Sequence, residues 1–253
     1  MRVASLGSGS RGNGTLIEEG DTCLLVDLGF SVKETLIRLE RLSKTPADID
    51  TILVTHEHAD HLNGVASFAK KYDIPVHMTA GTAWGADCDV TPINCHQSFP
   101  IGSIDVQPVP VPHDAREPSQ FVFTGQHHER IGLLTDIGHI TPHVQQQYSS
   151  CAVLLLECNY DSQMLENGPY PHRLKQRVAG VQGHLSNDQA AQLLGTIQSE
   201  RLAHLVLSHI SEKNNLPSLA TATARDALGH WQGDLQVSDQ QLGTQWIECP
   251  RNT

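Results

Sequence analysis

Between Thr55 and His61 the chain reads Thr55-His56-Glu57-His58-Ala59-Asp60-His61, a concentration of imidazole and carboxylate that few ordinary loops carry. The residues before it, Thr51 to Thr55, are apolar and β-branched and read as a buried strand. A turn leaving such a strand presents its side chains at the edge of a sheet, where a rigid scaffold can hold ligands. Four donors, His56, His58, Asp60 and His61, cannot all meet one small cation at tetrahedral geometry. They can serve two adjacent cations, His56 and His58 on one, Asp60 and His61 on the other. Imidazole and carboxylate donors suit zinc, manganese and iron. The competing reading is a solvated polar loop.

Further along, single histidines and aspartates stand at the ends of other strand-like runs. Asp27 closes Leu24-Leu25-Val26, Asp136 closes the run from Ile131 to Thr135, and His209 follows the run from Leu202 to Leu207. His113 sits in Val111-Pro112-His113-Asp114. Other strands are predicted at residues 3–6, 15–18, 22–27, 75–79, 121–124 and 151–157, with Gly20-Asp21 as a hairpin turn. Ser31-Val32-Lys33-Glu34 and Ser186-Asn187-Asp188-Gln189 are capping boxes. They predict helices from residue 32 to about 42 and from 187 to about 198, with further helices at 65–72 and 218–228. Strands dominate the first half and helices recur between strands throughout. That pattern predicts an α/β fold, two mixed β-sheets flanked by helices, in one domain spanning residues 1–253.

Net charge is −11, from 28 acidic and 17 basic side chains, which lowers the expectation of a general nucleic-acid binder. Two bound dications would nevertheless add about four positive charges where a phosphate must dock. The six cysteines contain no CxxC pair, so neither a disulfide framework nor a thiolate zinc site is expected. The N-terminal residues reach glycine before a signal-peptide apolar region can form. The longest aliphatic run, Ala152 to Leu156, is too short to span a bilayer. The expectation is a cytoplasmic protein without a membrane partner; its oligomeric state is open, a homodimer included.

The string His56 to His61 is the HxHxDH signature, and the chain from Met1 to about His209 resembles the metallo-β-lactamase superfamily in the order of its motifs. The resemblance implies an αββα four-layer sandwich. It further implies Asp27 as the carboxylate orienting the metal loop, His113 as the third ligand of the first metal, Asp136 as a carboxylate bridging both ions, and His209 as the last ligand of the second. His58 stands where the flavodiiron branch carries Glu, which disfavours iron and redox chemistry. Asp136 stands where classical β-lactamases carry Cys, which disfavours antibiotic hydrolysis. The bridging aspartate is similar to the ribonuclease Z branch. Ser5 to Asn13, Leu156 to Asp161, Gly168-Pro169-Tyr170-Pro171 and Gly183 to Asn187 resemble the YycJ (WalJ) group, associated with 5′-to-3′ exonuclease activity on double-stranded DNA. That group commonly carries His where this chain has Tyr160. Asp136 and His184 are about 48 residues apart, too close for the β-CASP insertion of larger nuclease relatives.

The chemistry this implies is phosphodiester hydrolysis. Two ions about 3.5–4 Å apart can share a water and bring its pKa towards neutrality, and the hydroxide can attack phosphorus in line with the leaving 3′ oxygen. Asp60 and His184 are the candidate catalytic residues, His184 for phosphate stabilisation or leaving-group protonation, with helix-start packing as its alternative. Candidate substrate contacts are Ser10, Arg11 and Asn13 in the glycine-rich turn, Asn159, and Lys175 and Arg177 in the basic run His172-Arg173-Leu174-Lys175-Gln176-Arg177. A tight turn and a solvated helix face are the respective alternatives. Gly7-Ser8-Gly9-Ser10-Arg11-Gly12 matches a dinucleotide-binding pattern, but a hairpin follows it rather than the required helix. His96, His127, His128, His139, His143, His204 and His230 belong to no motif and are expected to be non-ligands. A small-molecule hydrolase of thioesters, lactones or cyclic phosphodiesters is the alternative enzyme, and a binding protein without turnover the alternative class.

Overall fold

The computed structural model describes residues 1–198 and 200–251. Fourteen strands form among them: β1 (Arg2–Gly7), β2 (Gly14–Glu19), β3 (Thr22–Val26), β4 (Thr51–Leu53), β5 (Val76–Thr79), β6 (Thr91–Ile93), β7 (Phe99–Ile101), β8 (Ile104–Pro110), β9 (Ser119–Thr124), β10 (Arg130–Leu134), β11 (Val153–Glu157), β12 (His204–Ser208), β13 (Asp234–Val237) and β14 (Ile247–Glu248). The α-helices are α1 (Val32–Arg41), α2 (Ala59–Leu62), α3 (Val65–Tyr72), α4 (Ala80–Ala83), α5 (Pro142–Tyr148), α6 (Ser162–Asn167), α7 (His172–Val178), α8 (Asn187–Leu194) and α9 (Pro217–Leu228).

The strands sort into two seven-stranded sheets, ordered β14-β1-β2-β3-β4-β5-β6 and β13-β12-β11-β10-β9-β8-β7. In the first, the ladders from β14 to β3 are antiparallel and those from β3 to β6 parallel. The second repeats this plan: antiparallel from β7 to β10, parallel from β10 to β13.

Alternation along the strands explains the layering. In β11, Val153 and Leu155 point between the sheets, where they pack with Leu24, Val26 and Leu53 of the first sheet and Phe121, Phe123 and Leu133 of the second. Leu154 and Leu156 point the other way, against Val144, Tyr148, Leu193, Ala220 and Ala224 of α5, α8 and α9. The outer face of the first sheet is covered in the same way, Leu25 and Ile52 packing with Leu39, Val65 and Phe68 of α1 and α3. A strand buried on both faces must be apolar at every position, which is why these strands read as unbroken apolar runs. The result is the four-layer helix–sheet–sheet–helix sandwich expected.

Both capping boxes form, at Ser31 with Glu34 and at Ser186 with Gln189. The helix expected to reach Gln198 stops at Leu194, where Gly195 is the C-cap. The hairpin at Gly20-Asp21 forms with Gly20 at φ +58°, a left-handed turn position that suits glycine.

Candidate metal centre

Parallel strands bring the site together. In the second sheet, Leu134 of β10 pairs with Leu156 of β11, and Leu156 with Leu207 of β12. Asp136, Glu157 and His209 therefore emerge side by side, one or two residues beyond a shared register line. In the first sheet, Val26 pairs with Leu53, so Asp27 and the His56 loop emerge together from β3 and β4. Crevices outside the carboxyl ends of parallel strands are where α/β sheets hold ligands, and here two such edges face one another.

Asp27 fixes the ligand loop. Its Oδ1 accepts from the Thr55 amide at 2.8 Å, and its Oδ2 accepts from Thr55 Oγ1 at 2.9 Å and from His61 Nδ1 at 2.8 Å. Thr55 Oγ1 in turn lies 2.9 Å from His56 Nδ1. Both imidazoles are held by Nδ1, which turns Nε2 to the site. Asp27 sits at φ +59° and His209 at φ +51°. A left-handed backbone is uncommon outside glycine, although aspartate and histidine take it more readily than most residues, and such conformations gather where a site over-determines the chain.

His58 Nε2 donates to the Asp114 carbonyl at 3.1 Å, and His113 Nδ1 donates to the Gly183 carbonyl at 2.9 Å. With those protons assigned, His58 Nδ1 and His113 Nε2 are both lone-pair nitrogens, yet they face each other at 3.3 Å. Two lone pairs repel at that range unless a cation lies between their directions. Asp136 Oδ1 lies 2.9 Å from His209 Nδ1, and its Oδ2 lies 2.8 Å from His61 Nε2. His56 Nε2, Asp136 Oδ2 and His209 Nε2 are buried without a hydrogen-bond partner. Burying unpaired polar atoms is costly, and divalent cations in these ligand groups would satisfy them.

The ligand atoms of His56, His58 and His113 lie within 4.8 Å of one another, as do those of Asp60, His61 and His209, and those of His56, His61 and Asp136. The first two groups could each hold an ion, with Asp136 joining them. Every ligand expected from the sequence is thus brought to one place. None of the seven histidines set aside as non-ligands enters these groups among the described residues.

Electrostatics agree with the crowding. Burial and the neighbouring His61 hold His56 well below the usual imidazole range. Burial also pushes His61 and His209 down, but the Asp27 and Asp136 carboxylates more than reverse it and hold both well above that range. Asp136 is held well below the usual carboxylate range, because His209 and His61 outweigh its desolvation. Without a metal, protons occupy positions that cations would otherwise take.

A model of the beta-lactamase superfamily domain matches residues 22–210. The chain belongs to the beta-lactamase superfamily. Within that superfamily it is 32% identical over 236 residues to a Bacillus anthracis protein named exodeoxyribonuclease YycJ, covering 90% of this chain and 89% of that one. It is 34% identical over 248 residues to the exodeoxyribonuclease WalJ of Streptococcus pneumoniae serotype 2, strain D39, covering 94% and 91%. The metallo-beta-lactamase fold protein YhfI from Bacillus subtilis superposes with a TM-score of 0.77 at 15% identity, covering 97% of this chain and 98% of that one, a likeness of fold alone. The superfamily fold is one of metal-dependent hydrolases, and this member is an enzyme of that kind.

A cleft of about 360 Å³ opens over the ligand groups, lined by Asp60, Asp136, His184 and His209 and by Ser10, Asn159 and Arg177. Those last three expected substrate contacts are therefore at the cleft. The others are not. Asn13 is buried, and its amide donates to Gly9 O at 3.2 Å and Asp60 Oδ2 at 3.2 Å while standing 3.0 Å from His61 Nε2. It orders the ligand loop instead of facing substrate. Arg11 is ion-paired with Glu212 at the surface. Lys175 projects from the opposite face of α7 into a separate hollow with Tyr160 and Glu166.

Glu157 is the functional residue that the sequence reading passed over. Fully buried, it reaches His184 Nδ1 at 2.7 Å and His209 Nδ1 at 3.3 Å through Oε1, while Oε2 accepts from the Ile137 and Leu185 amides. Burial lowers His184, but the Glu157 and Asp136 carboxylates reverse this and push it up to about 9. The signal existed: a carboxylate ending an apolar strand, the same arrangement that marked Asp136. Tyr160, where the resembling group commonly has His, is a core residue here, bridged to Ser186 and packed on Leu165 and Val178.

Proposed function

We propose that this enzyme is a phosphodiesterase acting on nucleic-acid ends, a 5′-to-3′ exonuclease on DNA, with two divalent cations, zinc or manganese, in its ligand groups. The observation that carries the reading is the convergence of seven ligand side chains, three with orphaned buried atoms, beneath a cleft whose edge holds His184. The two relatives named exodeoxyribonucleases support the choice of substrate. When bound, such cations act as Lewis acids on a phosphoryl oxygen and make water acidic enough to attack.

The chain's own residues do the rest. His56, His58 and His113 would hold one cation, and Asp60, His61 and His209 the other, with Asp136 between them. Asp27 and Asn13 keep the imidazoles and Asp60 aimed. His184 is oriented by Glu157 through Nδ1 and stands at the cleft edge with Nε2 free of any partner among the described residues, placed to protonate the leaving 3′ oxygen. Arg177, on the same wall, meets a phosphate once it leaves Asp114, to which its Nε now donates at 2.6 Å. We read the chain as one domain without a β-CASP insertion. Among the described residues no helix is long and apolar enough to cross a membrane.

The net charge of −11 favours a second reading, a small-molecule hydrolase of the same fold. Metal-loaded protein incubated with end-labelled duplex DNA, single-stranded DNA, RNA and bis-p-nitrophenyl phosphate separates the two, with His58→Ala as control. Stepwise shortening from the 5′ end supports the exonuclease. Turnover of the small ester alone supports the second reading, and inactivity on all four with metal bound refutes both.

A further inference from the structure

The cleft has two unlike walls. One carries the ligand groups and His184. The other is apolar, formed by Tyr170, Leu174 and Val178. Positions 174, 177 and 178 share one face of α7, so the same wall that offers Leu174 and Val178 also offers the Arg177 guanidinium. Tyr170 precedes the helix in the loop Gly168-Pro169-Tyr170-Pro171.

This loop is built to hold one ring still. Proline on both sides of Tyr170 fixes its own φ and restricts the residue before it. Gly168 lies against the neighbouring loop so closely that a Cβ there would stand 2.5 Å from Asn214 Oδ1 and 2.5 Å from Met164 O. Asn214 is buried, and its amide donates to Ser211 Oγ at 3.2 Å. The two loops are therefore packed together, and the adjacent Lys213 is carried over the Tyr170 ring, with Nζ 5.8 Å from its centroid. Tyr170 remains half-exposed, and among the described residues its hydroxyl has no hydrogen-bond partner. A fold that immobilises an aromatic at the mouth of a cleft, with a mobile lysine over its ring and its hydroxyl unpaired, can offer that ring to a ligand from which the lysine takes a phosphate.

We infer that Tyr170 is the stacking platform for the base of the terminal nucleotide, with Leu174 and Val178 lining the apolar side and Arg177 and Lys213 meeting the flanking phosphates. The chemistry fits a nucleotide: an aromatic ring for the base, Lys213 over that ring and Arg177 on the same cleft for phosphates, and the ligand groups at the floor for the scissile diester. Stacking on an aromatic tolerates every base, so the subsite binds without sequence preference. The inference rests on the nucleic-acid reading above for its substrate, yet it can be tested apart from cleavage.

Metal-loaded wild-type, Tyr170→Phe and Tyr170→Ala proteins are titrated with 2′-deoxyadenosine 5′-monophosphate and with 2-deoxyribose 5-phosphate, which keeps sugar and phosphate but lacks the base. Wild type and Tyr170→Phe are expected to bind the nucleotide roughly ten-fold or more tightly than the sugar phosphate. Tyr170→Ala is expected to bind the two alike, and Lys213→Gln to weaken both by a similar factor. Equal binding of the two ligands by wild type overturns the subsite, a comparison that needs no variant to fold. Full base preference in a folded Tyr170→Ala overturns it as well. Base preference without cleavage of any end-labelled nucleic acid refutes the exonuclease and leaves the subsite standing; cleavage without base preference does the reverse.

Discussion

Glu157 Oε1 stands 2.7 Å from His184 Nδ1 and 3.3 Å from His209 Nδ1, so one buried carboxylate orients both a proposed ligand and the proposed proton donor. Glu157→Gln keeps the shape and removes the charge. His184 then loses the larger of the two attractions that hold its proton, and its pKa falls from about 9. The expected outcome is a kcat lower by about ten- to a hundred-fold, in line with general acid–base contributions. The alkaline limb of the pH–rate profile should also move to lower pH. An unshifted limb would show that His184 does not donate the proton.

The same substitution should be felt in stability. The Ile137 and Leu185 amides both donate to Glu157 Oε2. While His184 Nδ1 carries its proton, a glutamine must turn its NH₂ either to these amides or to that N–H, leaving a buried donor unpaired. Denaturant titration of the metal-free variant should show a loss of about 1–3 kcal/mol.

Asp27→Asn tests the orienting carboxylate. Asparagine accepts the left-handed backbone of Asp27, and its oxygen can still take the Thr55 amide. Its NH₂ cannot accept the His61 Nδ1 proton, so His61 loses its aim. Competition with a chelator should show metal affinity weaker by about ten- to a hundred-fold. Unchanged affinity would mean that the loop is held by its backbone alone.

What was legible in the sequence follows from how local each signal is. His56, His58, Asp60 and His61 sit in one turn and stand out by residue type and spacing, whereas Asp27, Asp136 and His209, each closing an apolar run, stood out only through the order of motifs resembling the family. Glu157 closes such a run too, but an acidic residue there is equally the first solvated one, and only the pairing of β11 between β10 and β12 puts it inside. Strand β14 was invisible, because two residues near the C-terminus acquire strand geometry only by pairing with Arg2 and Val3. The inward turn of Asn13 and the outward turn of Lys175 depend on packing between distant segments, which composition does not encode.

Gly29→Ala joins fold to site. A Cβ on Gly29 would stand 2.0 Å from the Asp60 carbonyl oxygen and 2.5 Å from its carbon, both backbone atoms that cannot swing away. Asp60 must shift, and with it the carboxylate that faces His61 and His209. The expected cost is about 1–3 kcal/mol of stability from overpacking, accompanied by loss of metal from the group containing Asp60. Metal analysis finding the wild-type content in the folded variant would show that Asp60 is not a ligand.

Metal removal and pH should act in opposite senses. In the metal-free protein His184 titrates near 9 instead of near 6.5, so the folded state holds its proton more tightly than the unfolded chain does. That stabilisation is complete below about pH 6.5 and is lost as pH rises towards 9. His61 and His209, also raised by their carboxylates, act in the same direction. Asp136 is lowered, so its contribution is lost only in acid, below its usual 3.8, outside this window. Metal binding reverses the trend at His61 and His209, because ligation requires those two imidazoles without their second protons and must displace them. Between pH 6.5 and 9 the melting temperature of chelator-treated protein should fall, while the gap between loaded and stripped protein widens. Calorimetry in buffers of different ionisation enthalpy should register proton release as metal binds. Parallel curves for the two forms, or metal uptake without protons, would show that these histidines are not the groups that the cations engage.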